Sequence, residues 1–247
     1  MTLVQNLVAA RKARSLHRWQ AQEGPADHDG AYQVQADVAR LSGEAVAGWK
    51  TGFAPDGSGR PIAGPIFAGD CRPDGGVYRL GAGQWVIVEL ELAIRLARDL
   101  PPGRKYGIDD ILAASSEVLA AIELVGTRYA DFDGTPFEAK LADNLNNGGF
   151  VAGTGSADVR RVARNGMALK LWRDGALIAD HEARHNDGEP LLAVAAFAAA
   201  GVDRLGGLKA GQIVTTGSLN KLLKVDGPAE FKGELGGIGS VSLRIEI

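Results

Sequence analysis

Cysteine is nearly absent: Cys71 stands alone among 247 residues, which excludes an internal disulfide and fits a reducing compartment. Its plain reading is a small, inert hydrophobe. No apolar run approaches the ~20 residues that span a bilayer. The N-terminus lacks the compact apolar core of a secretory signal. Its basic, acid-free composition up to Glu23 suits a transit peptide, but Leu3, Leu7, Ala10 and Arg14 fall on one stripe of a simple amphipathic helix. A cytoplasmic protein is expected. Neither sign of charge is in excess; a net charge of −3 gives no footing for nucleic acid or an anionic membrane. The four histidines, His17, His28, His181 and His185, offer no zinc spacing, because the last two fall in an expected strand. "GAGQWV" and "GTGSAD" lack the third glycine of a dinucleotide loop, and no G-x-S-x-G elbow occurs.

Glycine, by contrast, is plentiful, at 34 residues, which favours tight turns and a β-rich fold. Helices are expected at 2–21, 31–42 (capped by Asp29, stopped by Gly43), 107–121 and 189–202 (Pro190 in its first turn). Strands are expected at 85–96, 121–129, 212–218 and 240–247. Residues 168–184 read as a hairpin turning at Asp174-Gly175. Residues 44–84, rich in Gly and Pro, read as loop. The irregular order indicates an α+β class rather than a βαβ wind. One domain is expected, with a helical, loop-rich part at 1–75 and a β-rich core at 76–247.

Within "VIVELELAIRL" (86–96), Glu89 and Glu91 share a face with Ile87, Ala93 and Arg95, opposite Val86, Val88, Leu90, Leu92 and Ile94. Alone, this is an ordinary strand with one face in water. Glu123 changes the reading. It lies in "VLAAIELV", and a buried carboxylate is costly unless paired, as with Arg128, or bound to metal. Two strand carboxylates and a third from another strand form an oxygen-only cation site suited to Mg²⁺ or Mn²⁺.

The chain resembles the 2-keto-4-pentenoate hydratase / 4-oxalocrotonate decarboxylase branch of the fumarylacetoacetate hydrolase superfamily. The matching pieces run in order: "AYQVQ", "GWKTGF", "VELELA", "AAIELV", "ADNLNNGGFVAG", "GEPLLAVAAFA" and "LKAGQIVTTGSL". The resemblance implies a curled, packed mixed-sheet core (a roll or sandwich) with a smaller helical N-terminal part, and a homo-oligomer. It implies one Mg²⁺ or Mn²⁺ on Glu89, Glu91 and Glu123, and a small 2-oxo or 2-hydroxy-dienoate acid as substrate. The implied activity is hydration of a 2-hydroxy-2,4-dienoate in aromatic-compound catabolism. The alternatives are decarboxylation of a 4-oxalocrotonate-like acid, C–C hydrolysis of an acylpyruvate, or a non-catalytic, metal-stabilised partner subunit. Lys50 matches a lysine of the family motif and stands as proton shuttle or carboxylate anchor. Asp70 lies one residue off the register of a hydratase acid. Lys140 departs from the hydratase pattern toward the Lys-x-x-Asp of hydrolases. Gly126 replaces an acid frequent three residues after the third ligand, which leaves open what holds Arg128. Thr216, Gly217 and Ser218, with Arg128, are candidate substrate contacts, and Asn144, Asn146 and Asn147 are candidate pocket lining. Hydrolysis calls for a His–Glu pair; His17 has no Glu in helical register, which counts against it.

Overall fold

The computed structural model describes residues 1–162, 166–185 and 188–247. The chain opens with α1 (Leu3–Ala13) and α2 (His28–Ser42), followed by β1 (Val46–Phe53), β2 (Pro61–Phe67), β3 (Cys71–Arg72), β4 (Gly76–Arg79) and β5 (Val86–Leu96). Next come α3 (Ile108–Ala114), β6 (Ser115–Val125), α4 (Phe137–Ala142), β7 (Asn147–Ser156), β8 (Met167–Arg173) and β9 (Ala176–Ala183). The chain closes with α5 (Leu192–Ala200), β10 (Ile213–Ser218), β11 (Lys224–Val225), β12 (Ala229–Leu235) and β13 (Gly239–Glu246). Among the described residues, no helix is long and apolar enough to cross a membrane.

Two mixed sheets carry the fold, in the expected α+β class. The larger runs β2-β1-β10-β5-β6-β7-β3, with β11 beside β5; the smaller runs β4-β13-β12-β8-β9. The apolar face of β5 packs with Phe231, Leu243 and Ile245 of the smaller sheet in the main core. The sheets approach closely at Gly233, where a Cβ would lie 2.5 Å from Leu90 Cδ1, so any larger residue would have to displace the Leu90 side chain. On the other face of the larger sheet, Ile66 of β2, Ala93 of β5, Leu119 and Ala121 of β6 and Phe150 of β7 form one cluster. Strands at opposite ends of the sheet can share that cluster only if the sheet curls into a roll. The Ala68–Asp70 turn links β2 to β3, which pairs with β7. Helix α2 seals the N-terminal flank: Gln35 Nε2 donates to Ala63 O (3.1 Å) and Leu141 O (2.6 Å).

The structure corrects several expectations. The first helix stops at Arg14, whose left-handed backbone (φ 46°) caps it, so residues 15–20 are not helical. The cap of α2 is Asp27, not Asp29; its carboxylate accepts from Gly30 N, and Gly43 ends the helix as expected. The 44–84 segment contains four strands rather than only loop. Pro61 and Pro65 are tolerated because β2 is an edge strand. The helix expected at 107–121 ends at Ala114, and the apolar run from Ser115 belongs to β6. The Asp174-Gly175 turn has the expected positive φ angles of 50° and 80°. Most of the Ala-rich stretch 191–200 is covered by its own fold: Val194 and Phe197 are buried in the main core, while Leu192 is exposed.

Candidate metal centre

Register brings the three glutamates together. Glu89 of β5 pairs directly with Glu123 of β6, and Glu91 pairs with Ala121, so all three carboxylates occupy the inner face of the roll. Across β10, Thr215 pairs with Ala93 on one side and with Lys50 on the other. In a flat sheet, β1 and β6 would stand about 14 Å apart at ~4.8 Å per strand. Curling instead brings Lys50 Nζ to 3.0 Å from Glu123 Oε1.

One oxygen of each fully buried carboxylate is held by the chain. Glu123 Oε1 accepts from Asn147 Nδ2 (3.0 Å), and Glu91 Oε2 accepts from Gly217 N (3.1 Å). Glu91 Oε1 and Glu123 Oε2 are buried without any hydrogen-bond partner. Leaving such oxygens bare costs about 1–3 kcal/mol each, more if charged. The three carboxylates each place an oxygen within 4.8 Å of the others. Bare, buried, hard oxygen donors fit a small divalent cation of the Mg²⁺ or Mn²⁺ type. Burial, then the charges of Glu123 and Glu89, push the Glu91 carboxyl well above its ordinary range. Burial also raises Glu89, against the pull of Lys50. For Lys50, burial favours the neutral amine, but Glu123, Glu89 and Glu91 outweigh it and hold the ammonium.

The remaining candidates occupy varied places. Gly217 supports Glu91 through its backbone; Thr216 Oγ1 donates to Leu92 O (3.0 Å) and Ser218 Oγ to Asn220 O (3.0 Å). Arg128 is held by Asp143: Nε donates to Asp143 Oδ1 (2.5 Å), Nη2 to Asp143 O (2.8 Å) and Nη1 to Asn147 O (2.6 Å). Asp143 thus occupies the role that Gly126 leaves open. Arg128 clamps a run of three left-handed residues, Asn144 (φ 55°), Leu145 (φ 52°) and Asn146 (φ 58°), which delivers Asn147 to Glu123. Asparagine tolerates this conformation; Leu145 does not, and about 1–3 kcal/mol of strain is stored there. Asp70 pairs with Arg11 of α1. Lys140 places its ammonium 4.5 Å from the centre of the Phe132 ring.

Helical register concealed one pair. His17 Nε2 lies 2.8 Å from Glu23 Oε2, beside the exit of β6, where His17 N donates to Arg128 O (2.7 Å). The helix ends at Ala13, so the extended chain brings these residues together at a spacing no helical search tests. The register argument against a His–Glu pair therefore fails. Thr215 Oγ1, buried and without a partner, is a further residue that sequence reading passed over.

Asn147→Ala is expected to weaken Mg²⁺ binding by about 10–100-fold with the fold intact, as loss of an outer-shell donor does in metal sites. Titration calorimetry checks this; unchanged affinity would mean that Lys50 alone orients Glu123.

No family model matches the chain. It is 32% identical over 216 residues to a 2-keto-4-pentenoate hydratase of Burkholderia vietnamiensis, covering 85% of this chain and 81% of that protein. A 2-keto-4-pentenoate hydratase of Paraburkholderia phymatum is 33% identical over the same shares. A 4-oxalocrotonate decarboxylase of Pseudomonas putida is 26% identical, covering 87% of this chain and 84% of that one. Among solved structures, 4-oxalocrotonate decarboxylase from Pseudomonas putida G7, complexed with magnesium and adipate, superposes with a TM-score of 0.79 at 22% identity, over 98% of this chain and 95% of that one. Fumarylpyruvate hydrolase from Pseudomonas aeruginosa, in complex with Mn²⁺ and pyruvate, gives 0.52 at 18% identity, over 81% and 88%.

Proposed function

Because the chain belongs to the 2-keto-4-pentenoate hydratase family, in the hydratase/decarboxylase branch of the fumarylacetoacetate hydrolase superfamily, we propose that it adds water to a 2-hydroxy-2,4-dienoate, giving a 4-hydroxy-2-oxo acid. The observation that carries this reading is the buried glutamate trio, with two bare oxygens and an ammonium 3.0 Å away. Glu89, Glu91 and Glu123 hold Mg²⁺ or Mn²⁺. When bound, the ion supplies a Lewis acid for the C2 oxygen of the acid.

The chain's own groups supply the rest. Asn147 and Gly217 fix the outward oxygens of Glu123 and Glu91, so the carboxylates meet their cation without rearranging. Lys50 carries the mobile proton. In the reaction, the C2 hydroxyl loses its proton as C5 gains one, giving a conjugated enone; water then places hydroxyl on C4 and a proton on C3. Both transfers need a group that gives and takes a proton beside the carboxylates, and Lys50 Nζ stands there. Thr215 Oγ1, free and buried on the same face, is placed to donate to a substrate oxygen. A cytoplasmic role in aromatic-compound catabolism belongs to this reading.

Metal-stripped protein should be inactive toward 2-hydroxypenta-2,4-dienoate, and Mg²⁺ or Mn²⁺ should restore loss of dienol absorbance, with a product heavier by one water. No metal-restored turnover would overturn the proposal. The His17–Glu23 pair favours a second reading, C–C hydrolysis of an acylpyruvate. Release of two acids from such a substrate, with no hydration of the dienoate, would select it.

The proposed homo-oligomer rests on β9, an edge strand that exposes Leu177 (50%) and Ile178 (45%). A multimer is expected in sedimentation at micromolar concentration; a monomer there would contradict it.

A further inference from the structure

A cavity of about 260 Å³ lies where α1, the end of β4, the start of β5 and the exit of β6 meet. Arg11, Lys12, Arg14, Arg72 and Arg128 line it, against only Glu44 and Asp70. Neither Lys50 nor any of the three glutamates reaches it. Val86 does, and Val86 belongs to the β5 face that packs on the smaller sheet. Tyr78, also in the wall, comes from that smaller sheet. The cavity thus lies at the start of β5 with none of the three glutamates in its wall, although Arg128 there donates to Asn147 O, the residue whose side chain holds Glu123.

Its charge is not balanced from within. Arg128 is paired with Asp143, and Arg11 with Asp70. Lys12, Arg14 and Arg72 make no ion pair among the described residues, and Glu44 alone faces them, which leaves an excess of two positive charges. Main-chain carbonyls hold two of these cations in place. Arg14 Nη1 donates to Arg79 O (3.1 Å), and Arg72 Nη1 to Gly69 O (2.8 Å) and Cys71 O (2.7 Å). Such anchoring orders a guanidinium and keeps its charge. Burial, then the neighbouring charge of Arg128, lowers the Arg11 pKa at the inner end of the cavity, whereas Lys12 and Arg14 are exposed at its mouth. The phenol of Tyr78 adds a hydroxyl to the same wall. All this occurs in a chain of net charge −3, so the excess is local.

We propose that this cavity is a second binding site, for a compact dianion: a tetrahedral oxyanion such as phosphate or a short dicarboxylate. The excess charge sets the valence. The volume, below the ~300–1,000 Å³ of drug-sized pockets, sets the size. Planar guanidinium groups suit either oxyanion geometry.

The test uses full-length, metal-stripped protein in EDTA, titrated calorimetrically with inorganic phosphate and separately with succinate, at ionic strength matched by NaCl. Saturable binding of one anion per chain is expected. It should weaken at least about tenfold in an Arg14→Gln/Arg72→Gln variant, whose folding is checked by its melting curve, and should survive in Glu91→Gln. Whichever anion binds more tightly identifies the geometry. Three results would overturn the site: no saturable binding of either anion, undiminished affinity in a folded double variant, or binding abolished by Glu91→Gln, which would place the anion at the metal centre. If the double variant does not fold, Lys12→Gln in the exposed wall gives the same comparison. This test does not depend on turnover, so failure of the hydratase reading leaves it standing.

Discussion

Lys50→Met is expected to lower kcat by about 10²–10⁴, the range that a positioned proton-transfer group contributes. The variant should bind Mg²⁺ or Mn²⁺ at least as tightly as the wild type. The reason is electrostatic. Lys50 Nζ lies 3.0 Å from Glu123 Oε1 and competes with a cation for the same carboxylate charge. The carboxylates hold the ammonium against the burial that would discharge it. Whatever neutralises those carboxylates therefore loosens the Lys50 proton, which makes loading of the site and readiness to give a proton one event. Methionine retains the length and apolar stem of lysine and removes only the charge and the proton. The metal-free variant should be less stable, because the glutamates lose the one cation that pairs with them among the described residues; breaking a buried pair costs roughly 3–5 kcal/mol, less here because Lys50 keeps some exposure. Single-turnover rates and calorimetry together decide the matter. A normal kcat would make Lys50 a structural counter-ion. Loss of metal binding together with activity would make it a scaffold for Glu123.

The metal centre was more legible in the sequence than the fold that builds it. Glu89, Glu91 and Glu123 stand out because apolar strands exclude charge, and that anomaly survives any error in element boundaries. The partners that hold their oxygens, Asn147 and Gly217, are legible as pocket lining and substrate contact but not as supports of the carboxylates. Asn147 reaches Glu123 because the β6–β7 register shifts at Leu124/Val125, and Gly217 reaches Glu91 because β10 breaks register after Thr215. Register shifts follow from packing and leave little trace in local composition. The strands β1 and β2 were hidden by Gly and Pro: the edge position of β2 tolerates its prolines, and a close contact requires glycine, since a Cβ on Gly64 would lie 2.4 Å from Asn144 O. The boundary at Ala114 was hidden because "ILAASSEVLAA" satisfies both helical and extended patterns, and pairing of β6 between β5 and β7 decides it. His17 and Glu23 are invisible to periodicity because neither lies in an α-helix.

Glu91→Gln is expected to abolish the stabilising effect of Mg²⁺ while raising the melting temperature of the metal-free protein. Glu91 is fully buried, one of its oxygens is bare, and burial together with Glu123 and Glu89 pushes its pKa well above the ordinary carboxyl value. Glutamine retains an acceptor for Gly217 N and brings no charge. Removing ~1–2 kcal/mol of repulsion should raise Tm by roughly 2–4 °C per kcal/mol in a chain of this size. In the wild type, metal at about 100-fold above Kd adds ~2.7 kcal/mol. The pH dependence has opposite signs in the two states. Without metal, Glu89 and Glu91 titrate above their unfolded value, so the folded chain keeps protons that the unfolded chain has lost. The contribution of these two carboxyls to metal-free stability is therefore greatest below pH 4.5, falls as pH rises through the raised values, and then levels off. With metal, all three carboxylates must be ionised, so the stabilisation is complete at high pH and disappears as protons compete at low pH. Melting curves with and without Mg²⁺ at pH 5 and 7.5 should thus diverge in the wild type as pH rises and coincide in Glu91→Gln. An equal metal response in both proteins would mean that the cation binds elsewhere and that the buried trio is stabilised by protons alone.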